Sequence, residues 1–245
     1  MRIIIDEKPV EVEPGITILE AARQNGIDIP TLCYHEAFGG QGMCRMCMVE
    51  VKNGTSSRLV ASCTYPISEE IEVRTSTPAI ARIRRNIIGL LYRRAPNSEF
   101  MRQWYEKYEQ PQSRLSPDVE ESCILCRLCV KACEEMGSSA IAAVFRGTEK
   151  RIGTPYDDAA TACIGCGACA QICPTGAIAM TESEDRRTIW NREFALVRCQ
   201  KCGRPVGTGE QLEYIASKGG SALESGLCQV CRKKQAAVRV SEFYR

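Results

Sequence analysis

Sixteen cysteines fall along the chain as four groups of four with none left over: Cys33, Cys44, Cys47 and Cys63; Cys123, Cys126, Cys129 and Cys133; Cys163, Cys166, Cys169 and Cys173; Cys199, Cys202, Cys228 and Cys231. Thiols in such number either cross-link or hold metal. Disulfide frameworks belong to short secreted chains. The opening residues MRIIIDEKPVEVEPG have too short an apolar run and too many acids for a secretion signal. The thiols are therefore expected to act as thiolate ligands in a reducing, cytoplasmic compartment.

The two middle groups have the most specific spacing. CILCRLCVKAC (123–133) and CIGCGACAQICP (163–174) both read Cys-x2-Cys-x2-Cys-x3-Cys. That run wraps three thiolates around one 4Fe-4S cubane and lends its fourth to a neighbouring cubane. On this rule cubane A takes Cys123, Cys126, Cys129 and Cys173, and cubane B takes Cys133, Cys163, Cys166 and Cys169. Glu134 stands where the first run would carry the proline that Pro174 supplies in the second. Zinc is the competing ligand, but its sites prefer paired Cys-x2-Cys knuckles to a four-cysteine ladder.

The first group reads Cys33-x10-Cys44-x2-Cys47-x15-Cys63, with the glycines of FGGQGMC just ahead of the central pair. Plant-type 2Fe-2S sites use the same close pair flanked by single ligands, with a shorter first loop. Glycines there let backbone N–H groups approach the sulfurs. His35 is the only histidine. A Rieske centre, which needs two, is thereby closed, and His35 reads as an ordinary loop residue. The last group, Cys199-x2-Cys202 and Cys228-x2-Cys231, pairs two knuckles, the usual sign of a structural zinc. A fourth iron–sulfur cluster would use the same thiolates.

No residue reads as catalytic. The sequence has no Gly-x-Gly-x-x-Gly between a strand and a helix, no P-loop and no nucleophile–base pair. A chain of this kind carries electrons on its clusters while the protein supplies spacing, potential and docking.

The elements that must position these thiols are legible in outline. RIIIDEKPVEVEPG reads as two strands around a turn at Glu7 to Pro9. TILEAARQNGIDIP reads as a helix capped by Thr17 and stopped near Gly26, and MCMVEVKNG and EEIEVRT as two further strands. That order is a β-grasp, with Cys33, Cys44 and Cys47 on the loop after the helix. Thr77-Pro78 opens a helix presenting Ile80, Ile83, Ile87, Leu90 and Leu91 on one face, with Arg82, Arg85 and Arg93 outside it. A second helix from Asn97 or Ser98 aligns Phe100, Met101, Trp104, Tyr105 and Tyr108 as a packing stripe. PQSRLSP (111–117) reads as a linker, each ladder as loop plus half a helix, and GAIAM as a closing strand. The expected fold class is α+β: a β-grasp 2Fe-2S ferredoxin domain (1–76), a helical linker (77–117), a dicluster 4Fe-4S bacterial ferredoxin-like domain (118–185) and a zinc-ribbon-like four-cysteine unit with a basic tail (186–245).

Composition narrows the function. Thirty-two basic against thirty acidic residues leave a net charge of +2, and no basic stripe is interleaved with aromatics. A metal-stabilised nucleic-acid-binding protein is thereby disfavoured. The longest apolar stretch, IIGLLY at 87–92, is far short of the about 18 residues of a spanning helix.

IPTLCYHEAFGGQGMCRMCMVEV, followed by Cys63 and two cubane runs, resembles the N-terminal part of the large iron–sulfur subunit of respiratory complex I. It is equally similar to the iron–sulfur diaphorase subunits of NAD-linked hydrogenases and formate dehydrogenases. The likeness covers roughly 1–180. It implies an electron wire between a flavin subunit that oxidises NADH and a second catalytic redox subunit; the cysteine-paired C-terminal unit, outside the shared core, points to a specialised branch such as an electron-bifurcating complex or a reductase module. Many members also carry a cluster held by one His and three Cys ahead of the cubanes; here NIIGLLYRRAPNSEFMRQWYEKY fills that region with neither residue. The iron–sulfur subunit of a succinate or fumarate oxidoreductase is the runner-up. Its disfavouring features are the ten-residue loop after Cys33 and two complete cubane runs.

Overall fold

The computed structural model describes residues 1–108, 121–219 and 226–243. The chain forms two compact units, one of Met1–Lys131 with Ile172–Ala177 and one of Ala132–Gln171 with Ile178–Arg245.

The first unit opens with an antiparallel pair, β1 (Arg2–Ile5) and β2 (Lys8–Glu11). Their turn lies at Asp6 and Glu7, both at positive φ, rather than at Glu7 to Pro9. Pro9 stays in β2 opposite Ile4, which is tolerated because β2 is an edge strand. Helix α1 (Ile18–Gln24) starts in a complete capping box: Thr17 Oγ1 accepts from Glu20 N at 3.2 Å, and Glu20 Oε2 accepts from Thr17 N at 2.8 Å. A short hairpin, β3 (Tyr34–His35) and β4 (Gly39–Gly40), interrupts the long loop that follows. Then come β5 (Met48–Asn53), β6 (Ser56–Ala61) and β7 (Glu72–Arg74). The strand order is β2-β1-β7-β5-β6, with β1 parallel to β7. This is a β-grasp sheet whose buried face packs Ile3, Ile5, Val49, Val51 and Val73 with Ile18 and Leu19 of α1. Strand β6 goes unannounced in the sequence, because its first four residues are exposed and lack an apolar alternation.

Helix α2 (Pro78–Arg94) begins with Pro78 in its first turn, and Thr77 Oγ1 accepts from Ile80 N at 3.3 Å. Its buried stripe is Ile80, Arg84 and Ile88, while Leu90 is 62% exposed. The inward face is thus rotated from the expected one and includes an arginine. Helix α3 (Glu99–Lys107) is capped by Ser98, whose Oγ accepts from Met101 N at 3.3 Å. Met101, Phe100, Trp104, Tyr105 and Tyr108 all join one apolar cluster, as a packing stripe should. The expected linker at 111–117 lies outside the described residues.

Helix α4 (Leu128–Glu135) contains the break between the two units. The second unit continues with the hairpin β8 (Ala142–Val144) and β9 (Arg151–Gly153), and helix α5 (Ala168–Ile172). An antiparallel sheet follows, of β10 (Met180–Glu182), β11 (Arg186–Ile189), β12 (Arg192–Arg198) and β13 (Pro205–Thr208). Of the expected strand GAIAM only Met180 is extended. Helix α6 (Gly209–Ser217) is capped by Thr208, and the basic tail forms most of helix α7 (Gln229–Phe243). Among the described residues no helix is long and apolar enough to cross a membrane.

Met101 is fully buried in the cluster that also contains Cys33, Cys44 and Cys126. Met101→Ala is expected to cost about 2–5 kcal/mol, seen as a lower denaturation midpoint at unchanged m-value.

Candidate functional site: four thiol quartets

Chain geometry around the first quartet brings sulfur to backbone. Cys33, Cys44, Cys47 and Cys63 are all buried. Cys33 Sγ accepts from Cys44 N at 3.4 Å, and Cys47 Sγ lies 3.3 Å from Cys63 Sγ. A Cβ at Gly40 would stand 2.2 Å from the Cys63 carbonyl oxygen, so only glycine lets β4 approach so closely. The thiols couple as Cys33 with Cys44 and Cys47 with Cys63. Donation from the partner thiol brings Cys33 and Cys47 down to about 6, while the same contact and burial push Cys44 and Cys63 up. His35, read in sequence as a loop residue, ends β3 opposite Gly39, is exposed, and accepts from Ala37 N at 3.2 Å.

The two ladders fold alike. Leu125 and Arg127 in the first take positive φ of 56° and 64°; Gly165 and Gly167 in the second take 64° and 75°. Left-handed residues at alternate positions turn successive N–H groups toward one side, where an anion can sit. The first ladder reaches this shape with two residues that favour it less than glycine, at a cost on the order of 1 kcal/mol each. Leu125 N donates to Cys123 Sγ at 3.4 Å, and Cys173 is among the charges that act on both Cys123 and Cys126. Burial raises Cys123 and pushes Cys126 up to about 12.

In the second unit Cys133, Cys163, Cys166 and Cys169 line one small pocket. Thus the last thiol of the first ladder lies with the first three of the second. Ala140 N donates to Cys133 Sγ at 3.2 Å, and Ser138 Oγ lies 3.3 Å from it. Burial raises Cys163 and pushes Cys169 up to about 11, partly offset by the indole N–H of Trp190 at 3.4 Å from Cys169 Sγ.

Residues that sequence reasoning missed come from the sheet beyond the ladders. Arg187, 8% exposed and paired with Glu182 at 2.6 Å, donates to Gly165 O at 2.6 Å. Arg192 Nη1 donates to the carbonyls of Ala160, Thr161 and Cys163 at 3.2, 2.8 and 2.8 Å, and Thr208 Oγ1 donates to Ile164 O at 2.5 Å. The signal in sequence is faint: a strand pair rich in positive charge, RRTIWNRE, where a polar face would be assumed.

The fourth quartet closes tightest. The sulfurs of Cys199, Cys202, Cys228 and Cys231 lie within 4.8 Å of one another. One knuckle occupies the turn between β12 and β13, with Gly203 at φ 69°, and the other leads into α7. Backbone donation, first from Cys228, brings Cys199 down to about 6; Cys228 is lowered too, while the Cys202 side chain pushes Cys231 up to about 12.

Three family models match the chain, the second and third overlapping over 162–180. Residues 1–78 match a 2Fe-2S iron–sulfur cluster binding domain, 119–180 a 4Fe-4S dicluster domain, and 162–208 a further 4Fe-4S dicluster domain. An NADH-quinone oxidoreductase subunit of Rhizobium meliloti is 30% identical over 246 aligned positions, covering 89% of this chain and 28% of the relative. The chain is homologous to iron–sulfur subunits of NAD(P)H-linked oxidoreductases. NADP-reducing hydrogenase subunit HndD of Solidesulfovibrio fructosivorans is likewise 30% identical, over 82% of this chain and 39% of its own. A chain from the crystal structure of an NAD+-reducing [NiFe]-hydrogenase in the H2-reduced state aligns with a TM-score of 0.62 at 29% identity, over 72% of this chain and 85% of that one. The chain spans only about 28% of the length of the first curated relatives, the Rhizobium meliloti protein and an NADPH-Fe(3+) oxidoreductase subunit alpha of Geobacter sulfurreducens.

Gly165 combines a φ of 64° with a Phe194 ring whose Cγ would lie 2.6 Å from any added Cβ. Gly165→Ala is expected to lower stability by more than about 1 kcal/mol and to speed amide exchange across 160–167, read by hydrogen-exchange mass spectrometry.

Proposed function

We propose that this chain is the electron-relay subunit of a cytoplasmic, multi-subunit NAD(H)-linked oxidoreductase, docking a flavin- and NADH-binding subunit on one side and a second catalytic redox subunit on the other. The observation that carries the reading is the pairing of thiols across the ladders: Cys133 lines one cavity with Cys163, Cys166 and Cys169, as a crossed pair of cubane sites requires. When bound, the clusters supply one-electron carriers, and no substrate is turned over on this chain.

The residues fit the groups. Cys33 with Cys44 and Cys47 with Cys63 form two close thiol pairs, one pair for each iron of a 2Fe-2S site. Cys123, Cys126, Cys129 and Cys173 would hold one cubane, and Cys133, Cys163, Cys166 and Cys169 the other. Zinc fits the last quartet, Cys199, Cys202, Cys228 and Cys231. Four thiolates around one ion at a Zn–S distance of about 2.3 Å stand about 3.8 Å apart. In a cubane each thiolate binds a different iron, which spreads the sulfurs beyond the 4.8 Å seen. The dicluster match that runs to residue 208 takes in Cys199 and Cys202 and is the observation favouring a fourth cluster.

The missing one-His, three-Cys site leaves the question of how the first unit connects its two carriers. Cys33 and Cys44 share one apolar cluster with Cys126, packed by Leu32, Met46, Ile88, Met101 and Ile124. These side chains form a continuous apolar packing between the two quartets. The path within the first unit is therefore direct, without an intermediate site.

Cys126→Ser in the native complex should remove one cubane, seen as loss of its EPR signal and of iron and acid-labile sulfide. Relay to the physiological partner should fall at least tenfold, while NADH oxidation with an artificial acceptor is retained. Full-rate relay in that variant would remove cubane A from the path. Metal analysis of the same preparation should find zinc in proportion to protein. Because Cys199 is brought down to about 6 and Cys228 is lowered too, zinc binding at pH 8 should displace fewer than four protons, and more as pH falls through 6. Titration calorimetry in buffers of different ionisation enthalpy reads that number.

A further inference from the structure

Arg84 lies in the buried stripe of α2, 9% exposed, between Ile80 and Ile88. Its Nε donates to Met46 O at 3.0 Å and its Nη2 to Met48 O at 2.9 Å. Those two carbonyls belong to the residues on either side of Cys47. Among the described residues no carboxylate pairs with Arg84. Arg187, the other buried arginine, has Glu182.

A guanidinium taken out of water without a counter-charge is costly, and two carbonyl oxygens solvate it without neutralising it. Burial pulls the Arg84 pKa below its ordinary value, and Cys47 is among the charges that pull it back. Tyr108, Asp28 and Asp6 also act on it, but its hydrogen-bonded fork sits on the two residues that flank Cys47. A 2Fe-2S site built on four thiolates and two sulfides keeps a net negative charge when oxidised and becomes more negative by one electron when reduced.

We propose that Arg84 is the fixed counter-ion of the 2Fe-2S site: its fork anchors the loop that carries Cys47, and its charge favours the reduced form. This rests on the assignment of Cys33, Cys44, Cys47 and Cys63 to that cluster. Reduction adds one electron and moves no proton at Arg84, because a guanidinium does not titrate in this range. The residue acts through charge and through the backbone it holds, so it is a positioning residue. A charge held in a medium of low dielectric is screened little by salt, so the effect should persist at high ionic strength.

The test is a mediated redox titration of the loaded chain, with dithionite as reductant and the 2Fe-2S EPR signal as readout. Arg84→Met should shift the equilibrium toward the oxidised form by about tenfold, 59 mV for one electron, with both cubane midpoints unchanged. Arg84→Lys keeps the charge and loses the fork, so its midpoint should stay within threefold of the wild type while its denaturation midpoint falls.

Equal midpoints in Arg84→Met and wild type would overturn the proposal, as would equal shifts in the Met and Lys variants. Should Arg84→Met fold and fail to retain the cluster, Arg84→Lys decides: retention at a near wild-type midpoint upholds the counter-ion, and loss in both rejects it. A wild type without a 2Fe-2S signal would instead remove the cluster assignment itself.

Discussion

Negative charge held out of water is the constraint on which the structure depends. Twelve of the sixteen thiols are buried, too many for ordinary reactive cysteines and too dispersed for one core. Each thiolate needs either a proton or something positive, and the fold offers three kinds of partner. Backbone N–H groups reach Cys33, Cys123 and Cys133. The Trp190 indole reaches Cys169. Neighbouring thiols also donate to one another, which is why Cys33 falls to about 6 beside a raised Cys44. Metal ions replace those shared protons with charge, so ligand binding and folding are one equilibrium.

That constraint explains where the chain departs from ordinary module packing. The β-grasp sheet has its own aliphatic core, in which Cys47 and Cys63 are embedded. Cys33 and Cys44 belong instead to the cluster built by α2, α3 and the first ladder. The first quartet is thus divided between two cores, and α2 is part of its wall. A segment that reads as a linker between modules supplies Ile88, Met101 and the buried Arg84 to the thiol site. Direct packing of this kind is what the absence of a histidine and three cysteines in that segment would require.

Much of this was legible in sequence because cysteine spacing is a short-range property. Cys-x2-Cys-x2-Cys-x3-Cys fixes a local loop whatever surrounds it, and Thr17, Thr77 and Ser98 cap their helices by bonds three residues long. The misses are all long-range or marginal. Strand β6 exists because β5 pairs with it along six residues, while its own side chains are mostly exposed. The hairpin turn sits at Asp6 and Glu7 because the Asp6 carboxylate accepts from Thr75 N at 2.8 Å, a contact across 69 residues. Arg84 looks in sequence like a surface residue on a polar face; its burial follows from two carbonyls of β5 and its preceding loop, 36 and 38 positions away.

The C-terminal segment shows the same long-range logic. Strand β13 starts three residues after Cys202 and ends at Thr208. There one hydroxyl accepts from Gln211 N to start α6 and donates to Ile164 O, between Cys163 and Cys166. Thr208 is fully buried, so neither bond can be exchanged for water without exposing the other partner. Arg192, one strand over, holds three more carbonyls of the same loop. An ion that closes Cys199, Cys202, Cys228 and Cys231 would fix the start of β13, and with it the end that grips the second ladder. The ribbon-like unit therefore belongs mechanically to the thiol site at residues 163–169, and whatever its four thiols hold would bear on the rigidity of that loop.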